Sequence, residues 1–138
     1  MTKEFIFKVK VYYEDTDAGG IVYYANYLKF LERARTELIY ELSLNHKILK
    51  EKYDTYIIVR SCNIQYKKPG FFEDYLNIYT RLIDYTSSQI VVNQEIKRKK
   101  DLIVTAKVQL VTVNNKGKPI KMPNILINQL KLINSIID

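Results

Sequence analysis

The spacing of the apolar residues changes twice along the chain, and that change limits what it can fold into. Residues 5–13 alternate, with Phe5, Phe7, Val9, Val11 and Tyr13 on one side and Lys8 and Lys10 on the other, the period of a half-buried strand. From about Ala25 to Leu44 the period becomes three to four. Tyr27, Phe30, Leu31, Ala34, Leu38 and Leu42 recur, while Lys29, Glu32, Arg33, Glu37 and Glu41 fill other positions. This pattern predicts one helix of about five turns, ended by Asn45-His46 and followed by a polar connection to Tyr56. Strand-like stretches then cover about 56–66, 75–85, 88–98 and 102–113, and their short gaps predict antiparallel neighbours. Asn114-Asn115-Lys116-Gly117 signals a turn. Pro123 opens a predicted terminal helix with Ile125, Leu126, Leu130, Ile133 and Ile137 on one face.

One strand, one long helix and four more strands leave the helix with a broad apolar stripe that needs a surface to lie on. The most economical surface is one face of a sheet made by all five strands. The expected architecture is α+β: a five-stranded antiparallel sheet wrapped around one long central helix, with a short C-terminal helix. At 138 residues, 47% of them hydrophobic, residues 1–138 read as a single domain. Its unpaired edge strands make side-by-side dimerisation a natural way to cover one of them.

Composition removes several classes of function. The one cysteine, Cys62, cannot close an intramolecular disulfide, is expected in the core, and fits a reducing cytoplasm. The N-terminal residues lack the apolar run of a signal peptide, and no stretch approaches the ~18 apolar residues of a spanning helix. One His and one Cys cannot supply a zinc shell, so no metal is expected. The net charge of +7 brings a polyanionic partner into consideration: nucleic acid, anionic lipid or a phosphate-bearing substrate. Residues 96–121 carry all of that excess, with Lys97, Arg98, Lys99, Lys100, Lys107, Lys116, Lys118 and Lys121 against Asp101 alone. Nucleic-acid binding is not expected, because no recognition motif accompanies these charges. A local docking surface for coenzyme A phosphates, an acidic carrier protein or anionic lipid is one reading, and a solvated basic edge is the other.

Chemistry concentrates in residues 11–36, VYYEDTDAGGIVYYANYLKFLERART. Physically this is a strand ending in carboxylates, a glycine turn, and a helix start whose first amides have no acceptor within the helix. Such an N-terminus can stabilise the oxyanion that develops on a substrate carbonyl, and an Asp beside it can attack that carbonyl or activate water.

This segment resembles the signature of the YbgC-type acyl-CoA thioesterases, in the 4-hydroxybenzoyl-CoA thioesterase branch of the hotdog-fold superfamily. Tyr66-Lys67-Lys68-Pro69 followed by Asp74 resembles a proline-then-aspartate turn of the same family. The resemblance implies hydrolysis of acyl-CoA or acyl-carrier-protein thioesters without a cofactor. Asp17 would be nucleophile or general base, and the backbone N–H of Tyr24 would donate to the thioester oxygen. Asp15 would brace the loop, and Gly19 and Gly20 would let the acyl group pass. Tyr27 and Phe30 are candidate linings of an acyl pocket, with Lys97, Arg98 and Lys99 as phosphate contacts. It also implies a homo-oligomer, a dimer of dimers, and partners among acyl carrier protein, phospholipid-synthesis enzymes and the membrane surface. Many of these relatives carry His where this chain has Tyr24, and His46 is expected about 30 Å from the helix start if the helix is continuous. Glu32, Arg33 and Arg35 are read as helix-surface or interface charges, and Tyr12, Tyr13, Tyr23, Tyr24 and Tyr27 as mostly core or interface filling. Two other classes remain: a hotdog dehydratase, for which a single displaced His is a poor fit, and a non-catalytic binding module of the same fold.

Overall fold

The computed structural model describes residues 4–135. In chain order they form β1 (Glu4–Lys10), α1 (Asn26–Glu41), α2 (His46–Tyr53), β2 (Tyr56–Tyr66), β3 (Tyr75–Tyr85), β4 (Gln89–Arg98), β5 (Asp101–Val113) and α3 (Asn124–Ser135). The five strands make one antiparallel sheet in the order β1-β3-β4-β5-β2. Tyr27, Phe30, Leu31, Ala34, Leu38 and Ile39 are the buried stripe of α1. They share one core with Leu76 and Ile78 of β3, Val92 and Ile96 of β4, and Val104 and Val108 of β5. Burying each large member of that stripe contributes about 1.5–3 kcal/mol, which is what holds α1 against the sheet.

Sequence adjacency misplaces one strand. β2 and β3 are consecutive yet not neighbours: β2 pairs with β5 at the far edge, and β3 pairs with β1 and β4. Residues 67–74 are therefore a crossover from the β2 edge to β3, the strand inside the opposite edge, rather than a hairpin. β1 ends at Lys10, and the residues after it turn through a 3-10 segment, Tyr13–Asp15, so Tyr13 leaves the inner face and is 79% exposed.

The helix is shorter than its apolar period suggests. Ser43 takes a left-handed conformation (φ 59°), and the Leu44 amide bonds the Ile39 carbonyl at 3.2 Å, closing α1. Asn45 then both stops one helix and starts the next, its Oδ1 accepting the Ile48 amide at 2.8 Å as the N-cap of α2. His46 therefore begins a separate helix, and the estimate along a continuous α1 does not apply. In α3, Leu126, Leu130 and Ile133 are buried but Ile125 is largely exposed, and Ile137 lies outside the described residues.

Cys62 is not in the core. It sits on β2, an edge strand most of whose residues are exposed, including Ile58 and Val59 on adjoining positions. Arg35, expected on the surface, is half-buried and hydrogen-bonded to the fully buried Gln94. Arg33 lies over the Phe30 ring at 5.9 Å, and Glu32 accepts the Thr36 hydroxyl instead of pairing with an arginine.

Candidate functional site

Residues 15–23 form a small antiparallel hairpin that feeds directly into α1. Thr16 bridges Val22, the Asp17 amide donates to the Ile21 carbonyl at 2.9 Å, and the Tyr23 amide donates to the Asp15 carbonyl at 2.9 Å. Asp17 starts the tip and Gly20 closes it, its amide on the Asp17 carbonyl at 3.0 Å with φ 79°, a conformation glycine adopts without strain. The Gly19 amide donates to Asp17 Oδ1 at 2.8 Å, which fixes the side-chain rotamer. A Cβ on Gly19 would stand 3.3 Å from that oxygen, so the glycine also keeps the carboxylate approachable. The Asp17 residue is exposed.

Asp15 does what its position suggests. Its Oδ2 accepts the Tyr12 amide at 2.9 Å, and its carbonyl takes both the Tyr23 amide and the Asn26 side-chain amide, the latter at 2.9 Å. The hairpin is thereby tied to the first residue of α1. Across the ladder Tyr23 faces Asp15, so the next residue, Tyr24, brings the start of α1 beside the acidic end of the hairpin. The Tyr24 amide has no hydrogen-bond acceptor among the described residues, as expected of a helix start.

The crossover packs against this hairpin. The Val22 amide donates to the Gly70 carbonyl at 2.8 Å, and Ile21 bridges Phe71. The Gly70 amide donates to the Tyr27 hydroxyl at 2.9 Å in a buried setting, and burial raises the Tyr27 pKa. A Cβ at 70 would stand 3.2 Å from both the Tyr27 hydroxyl and Val22, so a larger residue there would push those side chains by a few tenths of an ångström. Tyr27 in turn meets Phe30 edge-on at 6.2 Å and Tyr66 at 5.8 Å between ring centroids. Tyr24 packs edge-on against the same Tyr66 ring at 5.9 Å. Together Ile21, Val22, Tyr24, Tyr27, Tyr66 and the segment 67–69 line an open groove of about 240 Å³ beside the start of α1.

Two of the expected site residues thus reach the groove as lining, Tyr24 and Tyr27, with Gly19, Gly20 and Asp17 on the adjoining hairpin. Phe30 supports Tyr27 from within the core. The tyrosines read as filling divide: Tyr27 is buried, whereas Tyr12, Tyr13, Tyr23 and Tyr24 are exposed. Tyr66, Lys67 and Lys68 come to the groove from the end of β2, and only the Tyr-Lys-Lys-Pro string marked them in the sequence.

The basic stretch does not form one surface. Arg98 is a structural strap: Nη1 donates to Asp74 Oδ2 at 2.8 Å and to the Pro69 carbonyl at 3.0 Å, and its guanidinium lies 5.4 Å over Phe71. The Asp74 hydrogen bond holds the Arg98 pKa above its ordinary value. Lys97 lies over Tyr79 at 5.1 Å, and Lys99 sits in the β4–β5 turn. Lys116 and Lys118 belong to the turn after β5, at the other end of a 13-residue strand, roughly 40 Å away. Lys67 and Lys68 replace them at the groove end, the Lys68 ammonium 3.2 Å from Asp101. No group of three or more metal-ligating side chains occurs among the described residues, and no helix among them is long and apolar enough to cross a membrane.

Comparison with known proteins places this arrangement. A family model described as the thioesterase-like superfamily matches residues 11–130. The acyl-CoA thioesterase YbgC of Haemophilus influenzae is 37% identical over 120 residues, 86% of this chain and 88% of its own. The acyl-CoA thioester hydrolase YbgC of Escherichia coli is 34% identical over 132 residues, 94% of this chain and 98% of its own. A crystal structure of a probable thioesterase from Bartonella henselae superposes with a TM-score of 0.85 at 31% identity, covering 88% of this chain and 100% of that one.

Proposed function

The chain belongs to the thioesterase-like superfamily, and on that premise we propose that it hydrolyses acyl-CoA thioesters, with the Asp17 carboxylate as nucleophile or general base and the amide at Tyr24 as oxyanion donor. The enzyme is a hotdog-fold acyl-CoA thioester hydrolase, in keeping with curated relatives that match it over most of its length. The observation that carries the residue assignment is the hairpin 15–23. It holds an exposed carboxylate, oriented by the Gly19 amide, across from Ile21, on the strand that lines the groove and runs on to Tyr24 and the start of α1.

In this reading the thioester carbonyl lies at the mouth of the groove. Asp17 either attacks the carbonyl carbon or takes a proton from a water that does. Negative charge then develops on the carbonyl oxygen, where the Tyr24 amide and the dipole of α1 stabilise it, a contribution of about 3–4 kcal/mol per donor. Collapse breaks the C–S bond and expels the thiol; on the general-base route this frees the carboxylic acid at once, and on the nucleophilic route water then hydrolyses the acyl-Asp17 anhydride to free acid and the Asp17 carboxylate. Gly19 and Gly20 keep the approach open, and no cofactor takes part. A thiol-release assay over short-chain, long-chain and aromatic acyl-CoAs tests this. Release from none of them would favour the non-catalytic module, and conversion of a hydroxyacyl- or enoyl-thioester without release would favour a dehydratase.

The groove end also offers cations to the phosphates of coenzyme A. Lys97 and Lys99, with Lys67 and Lys68 from the crossover, are the contacts we assign; Arg98 contributes by fixing the crossover. Acyl carrier protein, phospholipid-synthesis enzymes or an anionic membrane surface would meet the same end. The double substitution Lys97→Gln/Lys99→Gln is expected to raise KM about three- to tenfold at low salt, with kcat unchanged and the effect fading at high ionic strength. A KM that does not move at any salt would leave these lysines as a solvated edge.

The whole activity is assigned to one domain over residues 1–138, acting in a reducing cytoplasm as a homo-oligomer, a dimer of dimers. The outer edge of β2, with Ile58 and Val59 exposed on that strand, is the edge a second copy would cover. Sedimentation at micromolar concentration is expected to return a multiple of 16.3 kDa. A single species at that mass would remove the oligomer.

A further inference from the structure

Under the second half of α1, a largely enclosed cavity of about 90 Å³ lies between that helix, the sheet and α3. Its apolar walls include Leu38 and Ile39 of α1, Val92 and Leu110 of the sheet, and Leu130 and Ile133 of α3. It shares no lining residue with the groove at Tyr24, and along α1 the step from Tyr27 to Leu38 is about 16 Å. Its polar residues are Glu32, Arg35, Thr36 and His46.

Arg35 is held there by a buried relay. Gln94 is fully buried, and its Nε2 donates to the Leu31 carbonyl at 3.0 Å and to Thr80 Oγ1 at 2.9 Å. With both amide hydrogens used, Oε1 is fixed as the acceptor for Arg35 Nη1 at 3.0 Å. The guanidinium thus has a set position, one hydrogen bond spent of the five it can donate, and no carboxylate within 4.0 Å among the described residues. Glu32, one turn away, gives its Oε1 to the Thr36 hydroxyl at 3.0 Å. Burial lowers the Arg35 pKa, the mark of a charged group short of solvent. A half-buried cation with unspent donors at the wall of an apolar chamber is complementary to an anion carrying a short alkyl tail, and its planar fork matches a carboxylate.

We propose that this cavity is a second binding site, for a short-chain carboxylic acid whose carboxylate pairs with Arg35 and whose alkyl chain fills the chamber. Its volume of about 90 Å³, against the ~150 Å³ of a cavity that holds benzene, suits a ligand of about four carbons. Such acids are also the product class of the proposed hydrolysis, so the test must separate this chamber from the groove.

Sodium butyrate titrated into the full chain, followed by methyl NMR, is expected to shift the Val92, Leu130 and Ile133 methyls with a Kd on the order of millimolar. Arg35→Gln is expected to weaken binding about tenfold by removing the charge-assisted pair. Val92→Leu, which fills the chamber and keeps Arg35, is expected to exclude the ligand, and octanoate is expected to be too long to shift these methyls. Asp17→Asn should leave butyrate binding unchanged, whether or not that variant retains turnover. The proposal is overturned if butyrate leaves these methyls unmoved in the wild-type protein. Binding that survives both Arg35→Gln and Val92→Leu, or that disappears in Asp17→Asn, overturns it too. Should either cavity variant fail to fold, the methyl shifts and octanoate comparison in the wild-type protein still decide.

Discussion

Asp17→Asn is expected to lower kcat for acyl-CoA hydrolysis by about 10³-fold while leaving the unfolding midpoint nearly where it was. Asn is isosteric with Asp and keeps an Oδ1 that can accept the Gly19 amide, now 2.8 Å from it, so the hairpin tip retains its geometry. What is lost is the charge and the basic oxygen, which the nucleophilic and the general-base routes both need. The groove lining of Tyr24, Tyr27 and Tyr66 is untouched, so KM should change far less than kcat. Thiol release with the acyl-CoA that turns over fastest, run beside a thermal melt, reads both quantities. Turnover within a few-fold of wild type would take Asp17 out of the chemistry.

Phe30→Ala is expected to act in the opposite way, costing about 3–5 kcal/mol of stability. Phe30 is 1% exposed and lies on the buried stripe of α1, so truncation leaves a cavity where helix meets sheet. It also removes the ring that Tyr27 packs against edge-on, and Tyr27 is what the Gly70 amide bonds. The groove wall and the crossover should therefore loosen together, and activity should fall at temperatures where the variant is still mostly folded. Urea unfolding of wild type and variant measures the loss. A loss under about 1 kcal/mol would mean that this end of α1 is not clamped by the sheet.

These two variants touch features of different legibility. The acidic hairpin and the helix that follows it were readable because every contact that shapes them is local: Asp15, Asp17, Gly19, Gly20 and Asn26 lie within twelve residues. Spans such as β3 and β4 are readable for the same reason, their alternation being a property of the segment alone. The end of α1 was not, because the apolar period continues through Leu42 while a left-handed Ser43 turns the chain away. α2 was missed because eight residues with one fully buried side chain, Leu49, give a period too short to see; its Asn45 cap looked like a terminator only. Cys62 looked like core because it adjoins apolar residues, but it lies on an edge strand whose faces stay open within one chain.

By itself the sequence determined the five strands, the long helix α1 and the terminal helix α3, and that a carboxylate, a glycine turn and a helix start stand together, since these follow from neighbours a few residues apart. The tertiary structure alone decided that β2 leaves β3 for the far edge beside β5, and that Arg98 straps the crossover through Asp74 and Pro69. It alone brought Lys67 and Lys68 to the groove while sending Lys116 and Lys118 to the opposite end, and set Arg35 on Gln94, 59 residues away. The physical reason is that periodicity records which face of a segment is buried, whereas strand order and side-chain pairing depend on which distant segment does the burying.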